Sequence, residues 1–128
     1  MEKYYLSGSI YRASHEAVDE LMRDVLGDIQ SRPRLFGYDI YFKRESMQLF
    51  CGTINNDGRW WTLNADFSGA LPDLTALLSR LTRKLIDAGF NYDIGYCQVD
   101  ESGNEVGEEV SLYHPDFDSL YVPPSAGP

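Results

Sequence analysis

The most informative absence in this 128-residue sequence is that of positive charge towards its C-terminal end. No lysine or arginine follows Lys84, whereas nine aspartates and glutamates do. Residues 1–84 carry eleven acidic and eleven basic side chains, so the formal net charge of −9 belongs to the last third of the chain. A surface that binds nucleic acid needs a basic footprint. We therefore expect no direct binding of nucleic acid, and the acidity favours a basic protein partner.

Long apolar runs and abundant cysteine are also missing. No stretch approaches the roughly 18 apolar residues of a membrane-spanning helix, and residues 1–12 lack the apolar run of a signal peptide. We therefore expect a soluble, cytoplasmic protein of a prokaryote or a phage. The two cysteines, Cys51 and Cys97, have no second cysteine or histidine at the spacing of metal ligands. They are expected to be small buried side chains without a disulfide.

Apolar residues at helical spacing predict two α-helices. Ser14 is a suitable N-cap for a helix over about residues 15–30, which is expected to end before Pro33. Pro72 and Gly89 suit the first turn and the end of a second helix, over residues 71–88. The predicted buried stripes are Ala17, Val18, Leu21, Met22, Val25, Leu26 and Ile29 in the first helix and Leu74, Leu77, Leu78, Leu81, Leu85 and Ile86 in the second.

Alternating apolar and polar residues predict strands over residues 3–12, 36–43, 48–54, 59–67, 92–99 and 105–113. The dipeptide Asp57-Gly58 suits a hairpin turn, and residues 100–104 form a second turn. Gly8 is expected to be a bulge or a point of close packing. The expected core-facing residues are Trp61, Leu63, Ala65 and Phe67 in the fourth strand and Ile94, Tyr96, Val106, Val110 and Leu112 in the last hairpin.

This order of elements predicts a single α+β domain over residues 1–114. It reads βαβββαββ and resembles the ferredoxin-like arrangement, in which two helices pack on one face of an antiparallel sheet, here with an added C-terminal hairpin. Residues 115–128 contain proline and glycine without periodicity and are expected to be an extended or partly disordered tail. Many unrelated functions use this arrangement, so the fold predicts none of them.

No motif for catalysis or for metal binding is found. The loop that begins at Asp100 imitates the start of a calcium loop, but its sixth position is not glycine and its twelfth is not glutamate. Glu108 and Glu109 would point to opposite faces of a strand, so they cannot flank one glycosidic bond. His15 and His114 have no sequence neighbours that suggest nucleophilic catalysis. We therefore expect no enzyme activity, no metal and no cofactor.

Exposed aromatic side chains are expected near the acidic ones. In the pairs Tyr4-Tyr5 and Trp60-Trp61, one residue has to face away from the core if the segment is a strand. Half-exposed tyrosine and tryptophan are typical of protein interfaces, although the tail could equally cover an aromatic outer face. The predicted contact residues are Asp100, Glu101, Glu105, Glu108 and Glu109 for charge, and Tyr96, Tyr113 and Trp60 as aromatic anchors.

These features favour a small acidic inhibitor of a basic protein, namely an immunity protein that blocks a cognate bacterial toxin. Toxins that cleave nucleic acids have basic clefts, and an acidic surface accelerates association with them. Two alternatives stay open: a phage anti-defence protein that imitates DNA, and a ferredoxin-like domain that binds a small molecule. A deep pocket lined by tyrosine and aspartate would favour the small-molecule alternative, whereas a flat aromatic and acidic surface would count against it.

Overall fold

The computed structural model describes residues 2–34, 37–54 and 59–117, which form one seven-stranded sheet and two helices. The strands are β1 (Lys3–Tyr11), β2 (Gln30–Arg34), β3 (Gly37–Lys43), β4 (Met47–Thr53), β5 (Trp61–Ser68), β6 (Asn91–Val99) and β7 (Val110–Tyr113), and the helices are α1 (His15–Leu26) and α2 (Leu71–Ala88). The sheet order is β2-β3-β4-β5-β1-β6-β7, and all neighbouring strands are antiparallel. The predicted α+β class with an antiparallel sheet is confirmed.

Helix α1 begins at the predicted residue and ends earlier than predicted. The Ser14 hydroxyl accepts a hydrogen bond from the Ala17 N–H at 3.3 Å, as an N-cap does. Gly27 adopts a φ of 91° and donates its N–H to the Arg23 carbonyl, which ends the helix. The prediction that α1 continues to residue 30 is therefore wrong. Helix α2 has the predicted bounds, and Gly89 follows it in the left-handed conformation with a φ of 80°.

Residues 30–34 form a strand that was not predicted. The pattern around Pro33 was interpreted as the end of a helix, but these residues pair with β3 from Gln30 opposite Tyr41 to Arg34 opposite Gly37. β2 is at one edge of the sheet, where a proline is tolerated because only one side of the strand needs hydrogen-bond donors. The described elements therefore follow the order βαββββαββ, with one more strand than predicted.

The core lies between one face of the sheet and the two helices. In β5, all four predicted core residues are buried, and Trp61 at 0% exposure donates its indole N–H to the Ala13 carbonyl at 2.9 Å. The two helices lie side by side, and Arg80 of α2 donates a hydrogen bond to the Val25 carbonyl of α1 at 3.1 Å. The predicted helix stripes are largely confirmed, but Ile86 is 39% exposed and does not belong to the core.

Gly8 is a point of close packing between β1 and β6. It lies opposite Ile94, and an ideally placed Cβ on Gly8 would be 2.7 Å from the Ile94 Cα. Any side chain at this position would therefore separate the two strands. The prediction of close packing at Gly8 is confirmed.

The last hairpin differs from its prediction in the residues that precede β7. Residues 106–109 form a loop instead of a strand, with one isolated bridge between Val99 and Glu105. Val106 and Val110 are 49% and 42% exposed, so the prediction that they face the core is wrong. Ile94 is buried as predicted. The loop interrupts the two-residue alternation on which the prediction for the valines depended.

Three predictions concern residues outside the described ranges: the hairpin turn at Asp57-Gly58, Phe36 at the start of the second predicted strand, and the tail from residue 118 onwards. They stay predictions. In the part of the chain that the structure describes, neither helix is long and apolar enough to cross a membrane.

Candidate functional site

The face of the sheet opposite the helices is called the open face. Strand register places its side chains in rows that cross the sheet. One row contains Gln30, Tyr41, Phe50, Asn64, Ser7, Gly95 and Ser111, and the next contains Arg32, Asp39, Gly52, Thr62, Ser9, Asp93 and Tyr113. Small residues therefore occupy the centre of the open face, and aromatic residues lie on either side of them.

The two ends of the open face differ in their charged residues: the β2–β3 end carries basic residues and Asp39, which pairs with Arg34. Arg32, Arg34 and Lys43 belong to β2 and β3 at one end of the sheet. The other end consists of β6 and β7 with the turn and loop that connect them, and it contains acidic residues without any lysine or arginine. A basic partner would therefore approach the β6–β7 end.

Asp100 organises the turn that begins the acidic segment. One of its carboxylate oxygens accepts the N–H groups of Ser102 and Asn104, both at 2.9 Å. These bonds, first that from Asn104 and then that from Ser102, hold the pKa of the Asp100 carboxyl below its usual range. Gly103 has a φ of 85°, which suits glycine at this position. The turn was predicted at residues 100–104, and an aspartate that accepts the N–H two residues further on is typical of such a turn.

The loop that follows the turn folds over β6 on the open face. The Cys97 thiol, 5% exposed, donates to the Gly107 carbonyl at 3.5 Å. Burial raises the pKa of the Cys97 thiol, and the negative charges of Glu105 and Glu109 raise it further. Glu109 also lies above Gly95, since an ideally placed Cβ on Gly95 would be 3.1 Å from the Glu109 Cδ. The carboxylates of Glu105 and Glu109 are therefore near the open face.

All five predicted acidic contact residues are exposed: Asp100, Glu101, Glu105, Glu108 and Glu109. None of them forms an ion pair with a residue in the described ranges. Their carboxylates therefore present uncompensated negative charge, and the hydrogen-bonded turn and the loop hold the backbone that carries them.

Four aromatic rings form a continuous chain across the open face from the start of β5 to the end of β7, and we call it the aromatic cluster. The centroid distances are 5.6 Å from Trp60 to Tyr11, 6.2 Å from Tyr11 to Phe117 and 5.4 Å from Phe117 to Tyr113. The Tyr11 hydroxyl donates to the Asp93 carboxylate at 2.9 Å. Two predicted anchors, Trp60 and Tyr113, therefore belong to one cluster.

Tyr96 does not join this cluster. It pairs with Leu6 and Val110 on the face of the sheet that bears the helices, and its ring is 6.3 Å from that of Tyr4. A partner bound to the open face would therefore not contact the Tyr96 ring together with Trp60 and Tyr113.

The two histidines and the two cysteines contact other side chains or the backbone of the fold. His15 stacks on Tyr38 with ring centroids 3.6 Å apart, and His114 is 8% exposed and accepts the Asp116 N–H at 3.0 Å. Both cysteines are buried as predicted. Cys51 is paired with core residue Leu63 on the helix side, so the sheet separates it from Cys97. Among residues 2–34, 37–54 and 59–117, no group of three or more His, Cys, Asp or Glu side chains is arranged to hold a metal ion.

Comparison with known proteins assigns this chain to no family. A scan against protein-family models finds no match, and a search of curated proteins finds no similar one. The functional interpretation therefore depends on the open face itself.

Proposed function

We propose that the protein is a small acidic inhibitor that binds a basic protein partner through the β6–β7 end of its open face. In this proposal it acts in the cytoplasm as an immunity protein that blocks a cognate toxin. The observation that carries the proposal is the coincidence, on one side of the sheet, of the Glu105 and Glu109 carboxylates, which form no ion pair within the described residues, with the exposed Tyr113 of the aromatic cluster.

The charges favour fast association with a basic surface. Negative charges on an ordered loop attract a basic partner over several ångströms and orient it before contact. The bonds that Asp100 makes in its turn support this argument, because they order the backbone of the turn at the start of the acidic segment.

The aromatic cluster would supply the contacts that hold the partner after it has arrived. Tyr113 is 56% exposed and leans on Phe117, so it offers a large, pre-positioned surface. Tyrosine and tryptophan side chains dominate the energetics of many interfaces because they contribute contact area at a low cost in entropy. Val106, which is 49% exposed, adds apolar area beside the acidic residues of the loop.

The arrangement of the sheet supports the ferredoxin-like interpretation within this proposal. β6-β1-β5-β4 are adjacent in this order, and α1 and α2 follow β1 and β5. The hairpin β2–β3 and strand β7 would then be additions at the two edges. The helices occupy one face in that arrangement, so the opposite face is left for binding.

Capture of the partner and charge reversal test the proposal together. The tagged protein is used to isolate proteins from a lysate of its native host, and the captured protein is identified by mass spectrometry. The double variant Glu105→Lys, Glu109→Lys is then compared with a control, Glu20→Lys, Asp87→Lys, whose exposed side chains lie on the helices. The open-face reversal should slow association at low salt by about tenfold or more.

The control changes the net charge by the same amount but lies away from the proposed surface. It should alter the association rate much less than the open-face reversal does. Equal effects of the two reversals would contradict the proposed location of the interface. Binding that leaves the captured partner fully active would contradict the inhibitory function, and capture of a DNA-binding defence complex would support the anti-defence alternative instead.

A further inference from the structure

A groove lies on the open face at the end away from residues 105–109, which we call the acidic loop. It has a volume of about 650 Å³, and the side chains that line it include Tyr5, Tyr41, Lys43, Gln48, Phe50 and Asp66. Grooves of this size hold small organic molecules when a few polar groups converge on an apolar wall. The groove is on the opposite side of the sheet from the helices, so it is distinct from the core. None of the four residues of the aromatic cluster lines it.

Three aromatic rings form the apolar wall of the groove. The rings of Tyr41 and Phe50 are 5.1 Å apart at an angle of 54°. Phe50 leans over Gly52, where an ideally placed Cβ would be 2.7 Å from the end of the ring. The Tyr5 hydroxyl donates to the Asn64 side-chain oxygen at 2.9 Å, which holds the ring of Tyr5 against the sheet. The wall is therefore formed before any ligand arrives.

Three polar side chains cross the groove in one row. Register pairs Lys43 with Gln48 and Gln48 with Asp66, so Lys43 and Asp66 are two strands apart, or about 10 Å between Cα atoms. None of the three side chains forms a hydrogen bond or an ion pair with a residue in the described part of the chain. Arg44 and Asp28 also line the groove, so it carries two positive and two negative residues, and Lys43 and Asp66 face it from its two sides without neutralising each other.

The charges and the rings together match one chemical class of ligand. We propose that the groove binds a free α-amino acid with an aromatic side chain. Its carboxylate would approach Lys43, its ammonium group would approach Asp66, and its ring would pack on Phe50 and Tyr5. The carboxylate and the ammonium group of an amino acid are closer together than Lys43 and Asp66 are. The long, flexible Lys43 side chain can cover the remaining distance. The proposal is independent of the inhibitory function and goes beyond it.

A purely anionic ligand matches the groove less well. It could pair with Lys43, but it would also meet the Asp66 carboxylate at the other side. The protein as a whole carries a net charge of −9, which repels anions at long range. A zwitterion avoids both penalties because it has no net charge and offers each side of the groove its opposite charge.

NMR titration of the full-length, ¹⁵N-labelled protein with L-tryptophan tests the proposal directly. The titration extends to about 20 mM, above the millimolar Kd that a few exposed contacts support. We expect saturable shifts of the backbone amides of Tyr5, Gln48, Phe50 and Asp66, and none on the helices. Absence of saturable shifts at these amides would overturn the proposal.

A set of ligand analogues separates the two charge contacts. Tryptamine lacks the carboxylate, and indole-3-propionate lacks the ammonium group. Lys43→Gln should weaken binding of L-tryptophan about fivefold, the effect of one exposed charge pair, and should leave tryptamine binding unchanged. Asp66→Asn should weaken L-tryptophan and tryptamine to a similar extent and should strengthen indole-3-propionate, because it removes the carboxylate that repels this anion. The same spectra report whether each variant retains its fold.

The control variants Arg83→Gln and Asp87→Asn remove one charge of each sign from the exposed side of α2 and should change no affinity. A loss that is as large for tryptamine as for L-tryptophan in Lys43→Gln would overturn the assigned orientation. If the wild-type protein binds indole-3-propionate as tightly as L-tryptophan, the proposal of a zwitterionic ligand is overturned in favour of an aromatic carboxylic acid. Gly52→Ala, which displaces Phe50, should weaken all three ligands, and unchanged binding there would remove Phe50 from the site.

Discussion

Replacing Gly8 by alanine should test the contact on which the position of β6 depends. β6 is the strand that carries Asp93 and lies beneath the acidic loop. Its backbone is next to Gly8, which is paired with Ile94. An alanine Cβ would be 2.7 Å from the Ile94 Cα and closer still to the Asp93 carbonyl oxygen. Both are backbone atoms of a paired strand, so they cannot rotate away as the end of a side chain can.

The expected loss of stability follows from two opposing contributions. Forcing an extra methyl group into a packed position costs about 1–3 kcal/mol, and contact with backbone places Gly8→Ala at the upper end. Alanine reduces the conformational entropy of the unfolded chain, which stabilises the folded protein by about 0.4–1 kcal/mol. The free energy of unfolding should therefore fall by about 2 kcal/mol. A chain of 128 residues has an unfolding entropy of about 0.27 kcal/mol/K, so Tm should fall by about 7 °C.

Urea unfolding followed by tryptophan fluorescence measures this loss, because Trp61 is fully buried and becomes exposed on unfolding. Gly107→Ala is the matched control, since its Cβ would have no atom within 4 Å and its φ is not positive. The atoms nearest to a Cβ in Gly95→Ala belong to the flexible Glu109 side chain, which can move aside, so this change should cost less than Gly8→Ala. A Gly8→Ala protein as stable as Gly107→Ala, within about 0.5 kcal/mol, would refute the close approach of β1 and β6.

Two further predictions concern ionisation. Burial raises the pKa of the Cys51 thiol from 9.0 to about 12, so its thiolate at pH 8 is about a thousandfold scarcer than that of an unshifted thiol. Iodoacetamide should therefore modify Cys97 first in mass spectra of the native protein, and earlier modification of Cys51 would contradict its burial. The lowered pKa of Asp100 means that its turn contributes stability above the ordinary carboxyl pKa and loses it as pH falls through the folded value. An NMR titration of Asp100 with a midpoint at or above 3.8 would contradict the turn bonds.

The parts of the fold that the sequence predicts correctly are those in which burial imposes a period. α2 has both its apolar stripe and its end signals, Pro72 and Gly89, and its bounds are predicted to the residue. β2 has neither kind of signal. Four of its five side chains are exposed, so nothing in its sequence alternates, and it is a strand only because β3 pairs with it. A strand defined by its neighbour cannot be recognised from its own residues.

The candidate site was predictable in composition and not in its assembly. The acidic residues are visible as a run without bases, but the aromatic cluster depends on contacts such as that between Tyr11 and Asp93, which are 82 residues apart. Tyr96 is instructive because two predictions for it conflict: the alternation that it shares with Ile94 predicts that it faces the core side, and it was also predicted as an aromatic anchor. Its aromatic character suggested an anchor, and in a strand the alternation is the stronger signal.

The size of the sheet relates the two proposed sites to each other. Seven strands at about 4.8 Å spacing make the open face about 29 Å wide. A standard protein interface covers about 800 Å² on each partner, which corresponds to a patch about 32 Å across. A protein of ordinary size that sits on the aromatic cluster would therefore extend over the small residues at the centre, such as Ser7 and Ser9, towards Phe50. The groove and the acidic end are thus neighbouring parts of one surface, and a ligand in the groove would lie at the rim of the protein interface.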